Sequence, residues 1–174
     1  MKRFVLLLCV LVALVGVVAI IGALLPAQHT ATRAARFRQP PEAVWNAITD
    51  YTKFPEWRKS VRGVEALPAV NGKPSWSEFD KYDHSIPYEI VEWTPPKRLT
   101  TRIADPDLPF GGTWTYELAP QADGSTTLRI TENGEIRNVF FRFAARVFLG
   151  YTKTMDDYLK ALGEKFGEKT AIEN

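Results

Sequence analysis

The chain has 174 residues, room for one domain and an appendage, with 22 Lys and Arg against 20 Asp and Glu. The basic excess is Lys2 and Arg3, so the sequence beyond residue 26 is charge-balanced and lacks the basic footprint of a nucleic-acid binder. A single cysteine, Cys9, and two histidines, His29 and His84, exclude disulfide staples, a thiolate zinc site and a cysteine nucleophile from the domain, and argue against a multi-histidine metal site.

After Lys2 and Arg3 comes the uncharged run "FVLLLCVLVALVGVVAIIGALL", Phe4 to Leu25, closed by Pro26. As a helix it would be about 33 Å long, close to the hydrocarbon thickness of a bilayer. A cleavable signal has an apolar core of about 7–15 residues, which favours an uncleaved signal anchor over residues 1–26. Cleavage near "LPAQ", releasing a soluble domain, is the alternative. Lys2 and Arg3 place the N-terminus in the cytoplasm and the domain outside, periplasmic or extracellular, although Arg33, Arg36 and Arg38 nearly cancel that bias. Cys9 reads as a small apolar filler rather than a lipid-attachment site.

Residues 27–174 form the expected domain. "PAQHTAT" reads as a tether and "TRAARFRQ" as a first strand. Pro41 suits the first position of a helix and Glu42 its positive end, with Val44, Trp45 and Ile48 on one apolar face. Asp50 breaks that helix, and a second short one restarts at Pro55. From Val61 the period changes to that of strands, near 61–67, 74–83, 86–93, 98–104, 112–119 and 125–135. "NGKP", Ser85–Pro87, "TPPK", "DPDLPFGG" and "QADG" supply the turns, and the spacing leaves no room for crossover helices. From Asn138, a helix N-cap, Phe140, Phe143, Val147, Tyr151, Met155, Tyr158, Leu162 and Phe166 recur in steps of three and four. One long amphipathic helix, ending at Gly167, is expected. The class is α+β: a curved antiparallel sheet of about seven strands around a long C-terminal helix.

The stretches "PPEAVWNAITDYTKFPEW", "PYEIVEWTPPKRL", "FGGTWTYEL", "TLRITENGEI" and "FRFAARVFLGYTKTMDDYLKAL" resemble the START-like, Bet v 1-like (SRPBCC) superfamily in its polyketide cyclase/dehydrase-like branch, from residue 31 to 167. The resemblance implies a helix-grip fold around an apolar cavity. The superfamily includes lipid carriers, hormone receptors and cyclases, so it does not imply catalysis by itself.

Strand alternation sorts the faces. Trp114, Tyr116 and Leu118 point one way, and Leu128, Ile130 and Glu132 point inward on the next strand. Glu132 is then a carboxylate entering an apolar interior, or one that reaches water at the strand's end. Placing Trp76 inside brings in Glu78, Asp80, Tyr82 and His84, which requires a wet cavity or a bulge. Glu132, His84 and Glu78 are thus the only candidate acid–base groups, and a lone histidine beside a turn, as His84 is, is more often solvated than catalytic. The candidate ligand-binding set is Phe54, Trp57, Trp76, Tyr88, Trp93, Trp114, Tyr116, Glu132, Phe143, Val147, Tyr151, Met155 and Tyr158, of which most must be ordinary core. Phe54 and Trp57 are expected at a cavity rim. Gly150 inside the long helix suggests close packing or ligand approach, and Gly111–Gly112 a gate or a tight strand entry.

The leading expectation is a membrane-anchored binding protein for a small hydrophobic molecule or lipid, with no cofactor, metal or nucleic acid. A cofactor-independent cyclase, dehydratase or hydrolase is the alternative. A non-enzymatic partner of a membrane complex is the second.

Overall fold

The structure is a computed structural model that describes residues 1–174. Helix α1 (Lys2–Leu24) is apolar along its length and long enough to cross a membrane. Strand β1 (Gln28–Phe37) follows almost directly, then α2 (Pro41–Thr49), a short turn of 3₁₀ helix at Tyr51–Lys53, and α3 (Phe54–Trp57). Strands β2 (Gly63–Val70), β3 (Lys73–Phe79), β4 (Ser85–Thr94), β5 (Arg98–Ile103), β6 (Phe110–Pro120) and β7 (Thr126–Ile136) come next. The chain ends with α4 (Val139–Ala144), a π-helical turn (Ala145–Leu149), α5 (Lys153–Lys165) and a two-residue strand, β8 (Ile172–Glu173).

The sheet has eight strands in the order β2-β3-β4-β5-β6-β7-β1-β8, every pair antiparallel. β2 to β7 form a meander, and β1 returns to lie against β7. The expected helix-grip arrangement is present, with β8 as an additional strand covering the outer edge of β1. The expected tether is not. β1 begins at Gln28, and the backbone N–H of Ile136 donates to the carbonyl of Ala27 at 2.8 Å. Residues 28–31 therefore belong to the sheet.

The core fills one end of the concave face. Val44, Trp45 and Ile48 of α2 meet Leu99, Leu118, Leu128 and Ile130 from the sheet and Leu159 and Leu162 from α5. Pro41 opens α2 with Glu42 in its first turn, as read from sequence. A bulge between Ile90 and Glu92 in β4 shifts the alternation by one, turning Trp93 inward beside Leu99 and against Trp45 at 5.2 Å. Arg33 on β1 donates through Nε to Asp156 of α5 at 2.9 Å, tying the helix to the sheet.

The C-terminal helix is not continuous. Asn138 caps α4 as expected, its side chain accepting from the N–H groups of Phe140 and Phe141 at 2.9 and 3.1 Å. The helix then widens into the π turn, closed by the Gly150 N–H on the Ala145 carbonyl at 2.9 Å. Gly150 has φ +70°, a conformation that costs an L side chain, and nothing lies within 4 Å of where its Cβ would be. Its positive φ marks a backbone break, and the open space around it rules out the close packing expected.

Candidate functional site: a polar-floored cavity with an open mouth

Beyond the filled end, the sheet's concavity is hollow. A cavity of about 320 Å³ lies between β4, β5, β6, β7 and the start of α5, walled by Ile86, Tyr88, Thr101, Ile103, Phe110, Trp114 and Tyr116, with Thr154 from the helix. Alternation put Trp114, Tyr116 and Glu132 on one face, and all three border it. The same alternation on β5 turns Thr101 and Ile103 toward the hollow while Leu99 enters the core.

The floor is polar. Pro55 sits in the first turn of the four-residue α3, which ends at Trp57; the backbone is extended at Arg58, whose side chain reaches the cavity. Its Nη1 donates to Glu78 Oε1 at 2.8 Å, and the Trp76 indole donates to the same oxygen at 3.2 Å. The guanidinium carbon lies 4.8 Å from the Phe54 ring centre and 5.2 Å from that of Tyr158. Burial works against the charge on Arg58, but the Glu78 carboxylate beside it more than offsets this and holds its pKa above the ordinary value. Burial also pushes the phenols of Tyr88, Tyr116 and Tyr158 up, so all three stay protonated as donors. The hydroxyl of Tyr158, packed beside Tyr116 and Trp114, has no hydrogen-bond partner within the protein.

Glu132 stands on the wall directly across from Trp114 in the β6–β7 register. Burial raises its pKa, and hydrogen bonding by Trp114 partly counters that. Nε2 of His29 lies 3.9 Å from its Oε1, and the imidazole stacks on Tyr151 with centroids 4.0 Å apart. Burial lowers the His29 pKa, so the ring is neutral at pH 7 and the contact is polar rather than ionic. His29, Glu132 and Tyr151 border a second hollow of about 280 Å³, which adjoins the first and shares Ile103, Phe110, Gly111, Glu132 and Thr154 with it. Phe141, Ala145, Leu149 and Gly150 complete this mouth.

The structure separates the sequence-derived candidates into groups. Tyr88, Trp114, Tyr116 and Glu132 are brought together on the cavity, Trp76 and Tyr158 back its floor, and Tyr151 stands at its mouth. Phe54 and Trp57 are buried core rather than rim, because α3 packs its aromatic side against Trp76 and Tyr158. Met155 is fully buried core, and Trp93 is at the filled end of the sheet. Phe143, in α4, and Val147, in the π turn, line neither hollow, and Val147 is exposed. His84 is exposed in the β3–β4 turn, where it meets Asp80 at 3.0 Å, because β3 ends at Phe79 before the expected alternation could carry it inward. Glu78 points inward but is held by Arg58. Gly111–Gly112 are paired within β6, so they form a tight strand entry bordering the cavity.

Arg58 and His29 were missed. A four-residue helix has too few turns to show a face, which hid Arg58. His29 was legible: counting back in twos from Phe37 and Ala35 puts it on the inner face once the strand begins at residue 28.

The family model for polyketide cyclase/dehydrase and lipid transport matches residues 28–166. Among solved structures, a START superfamily protein from Mycobacterium smegmatis is similar at TM-score 0.62 and 16% identity, over 79% of this chain and 96% of that one. A conserved protein from Geobacillus kaustophilus is similar at 0.65 and 14%, over 84% and 100%. Norcoclaurine synthase from Thalictrum flavum is similar at 0.62 and 10%, over 86% and 92%. At these identities the likeness shows the fold alone. Among curated protein sequences none matches. The extent of the family match, joined to the helix-grip sheet and the hollow it encloses, makes this chain a member of the polyketide cyclase/dehydrase and lipid transport family, with an SRPBCC-type fold.

Proposed function

We propose that the domain holds a small amphipathic molecule with an apolar body and an uncharged or weakly acidic oxygen, a carbonyl or phenol, and that α1 moors it to a membrane. The observation that carries this is the apolar-walled cavity ending in Arg58, Glu78 and the tyrosine hydroxyls. Arg58 is already neutralised by Glu78, so a fully anionic ligand would leave one buried charge uncompensated, and that costs several kcal/mol. A neutral acceptor avoids the cost and still takes hydrogen bonds from the phenols. The apolar walls supply roughly 25 cal/mol per Å² of ligand surface removed from water.

The fluorescent naphthalene ketone prodan has this chemistry. Added to the full chain in detergent, it should show saturable energy transfer from tryptophan, because Trp114 borders the cavity. Thr101→Phe, which fills the cavity from β5, should abolish the saturable part while circular dichroism stays unchanged. Transfer that does not saturate, or that survives Thr101→Phe in a folded protein, would defeat the reading.

A second reading is favoured by one observation, the carboxyl group of Glu132 set into the cavity wall across from Trp114, where burial raises its pKa. A carboxyl group poised nearer neutrality can act as general acid or base toward a bound ligand. Turnover separates the two: an enzyme converts its ligand and loses that reaction, but not its binding, in Glu132→Gln, whereas a binding protein shows no turnover in either form.

A further inference from the structure

Between Arg137 and Thr154 the chain carries four basic residues, Arg137, Arg142, Arg146 and Lys153, and no acidic one. Within that stretch, α4 and the π turn expose Phe140, Phe141, Val147, Phe148 and Leu149, Phe148 to 75%. Folded domains seldom leave so many large apolar side chains together in water without an occupant for them.

The placement of the strip identifies the occupant. Gly22, in the last turn of α1, packs on the backbone of Val139 so closely that a Cβ would collide with it. Arg142 then bridges the elements, donating from Nη1 to the carbonyls of Gly22 and Leu25, each at 3.2 Å, and from Nε to that of Ile136 at 3.0 Å. These carbonyls are among those a helix leaves unpaired at its C-terminus, and a cation there also suits the dipole. The strip is therefore fixed beside the last turn of α1. At 1.5 Å per residue, Gly22 lies about 5 Å from the end of the apolar run, the depth at which acyl chains meet headgroups. An aromatic, basic segment at that level matches the composition of helices that lie in a membrane interface.

Two of these exposed side chains, Phe141 and Leu149, together with the buried Ala145, also border the mouth beside the cavity. One short piece of chain thus lies beside α1 and borders the mouth.

We infer that Val139–Leu149 is embedded in the interface of the bilayer that α1 crosses, so that the cavity mouth opens onto lipid and the ligand enters from the membrane rather than from water. This rests on the reading of α1 as a membrane span, and the test keeps the two apart.

The full chain, with Cys9→Ser, would be reconstituted in phosphatidylcholine–phosphatidylglycerol vesicles carrying single nitrobenzoxadiazole labels at Leu14→Cys, Phe148→Cys or Tyr82→Cys. Leu14 reports on α1, Phe148 on the strip, and Tyr82 on the exposed β3–β4 turn. Doxyl-labelled lipid with the quencher near the headgroup end should quench the Phe148 label several-fold more than the Tyr82 label, with blue-shifted emission. A quencher deep in the acyl region should reach Leu14. If Leu14 is quenched and Phe148 behaves like Tyr82, the inference is overturned while the span stands. A Phe148 label that is blue-shifted yet untouched by lipid quenchers means a second copy or another protein covers the strip, which also overturns it. An unquenched Leu14 label removes the span itself.

Discussion

The Val139–Leu149 segment and α5 carry one apolar stripe in sequence, yet their surroundings are opposite. In α5, Met155, Leu159 and Leu162 are fully buried in the core, where the helix packs on β1 and α3, each worth roughly 1.5–3 kcal/mol of burial. In the preceding segment Phe140 and Val147 of the same stripe stand exposed and Phe143 is half-buried, and the domain gains little from them. The break between the two is Gly150. A helical period reports which side of a helix is apolar, but the partner is decided by where the chain places that side. Here α5 has the sheet beneath it, whereas α4 and the π turn project past the sheet's end and lie beside α1.

The first way to sharpen this contrast is on the buried side. Arg58→Met leaves Glu78 buried without its cation and should cost about 3–5 kcal/mol in denaturant unfolding. The double variant Arg58→Met with Glu78→Gln should recover most of that loss. Next, Leu159→Ala in α5 should cost about 2–5 kcal/mol, read the same way. At the junction, Gly150→Ala forces an L residue to φ +70° and ψ 177° and should cost about 1–3 kcal/mol, because there is space for the methyl but not for the backbone. Glu132 gives a smaller, pH-dependent difference. Its folded pKa is raised above the unfolded value, so its protonated form favours the fold, and that advantage is lost as pH rises from the ordinary carboxylate range through the folded pKa. Glu132→Gln should therefore flatten the stability profile in that window and be the more stable form above it. Last, Phe148→Ser should change stability by no more than about 0.5 kcal/mol. A loss from Phe148→Ser as large as that from Leu159→Ala would erase the contrast.

Most of the fold was legible because strand alternation and turn residues act locally. The faces of β6 and β7 followed from period two alone, and so did the inward carboxylate of Glu132. What local patterns could not carry was the stopping point of an element and what lay across from it. His84 was misplaced because β3 ends at Phe79, and Trp93 because it pairs with Leu99, at the end of the sheet that Trp45 fills. Phe54 and Trp57 became core because α3 tilts onto Trp76 and Tyr158, a tertiary fact with no signature in four residues. The long-helix expectation failed at one glycine, whose positive φ is set by the turn it closes.

The junction between α1 and β1 has a mechanical consequence. Only Leu25, Pro26 and Ala27 separate them, a span of roughly 10 Å at full extension. Ala27 is itself pinned by Ile136, and Arg142 holds the end of the helix. On the proposal that α1 lies in a bilayer, a link this short allows the domain no travel away from it, and the proposed ligand would have to be handed over at that one surface.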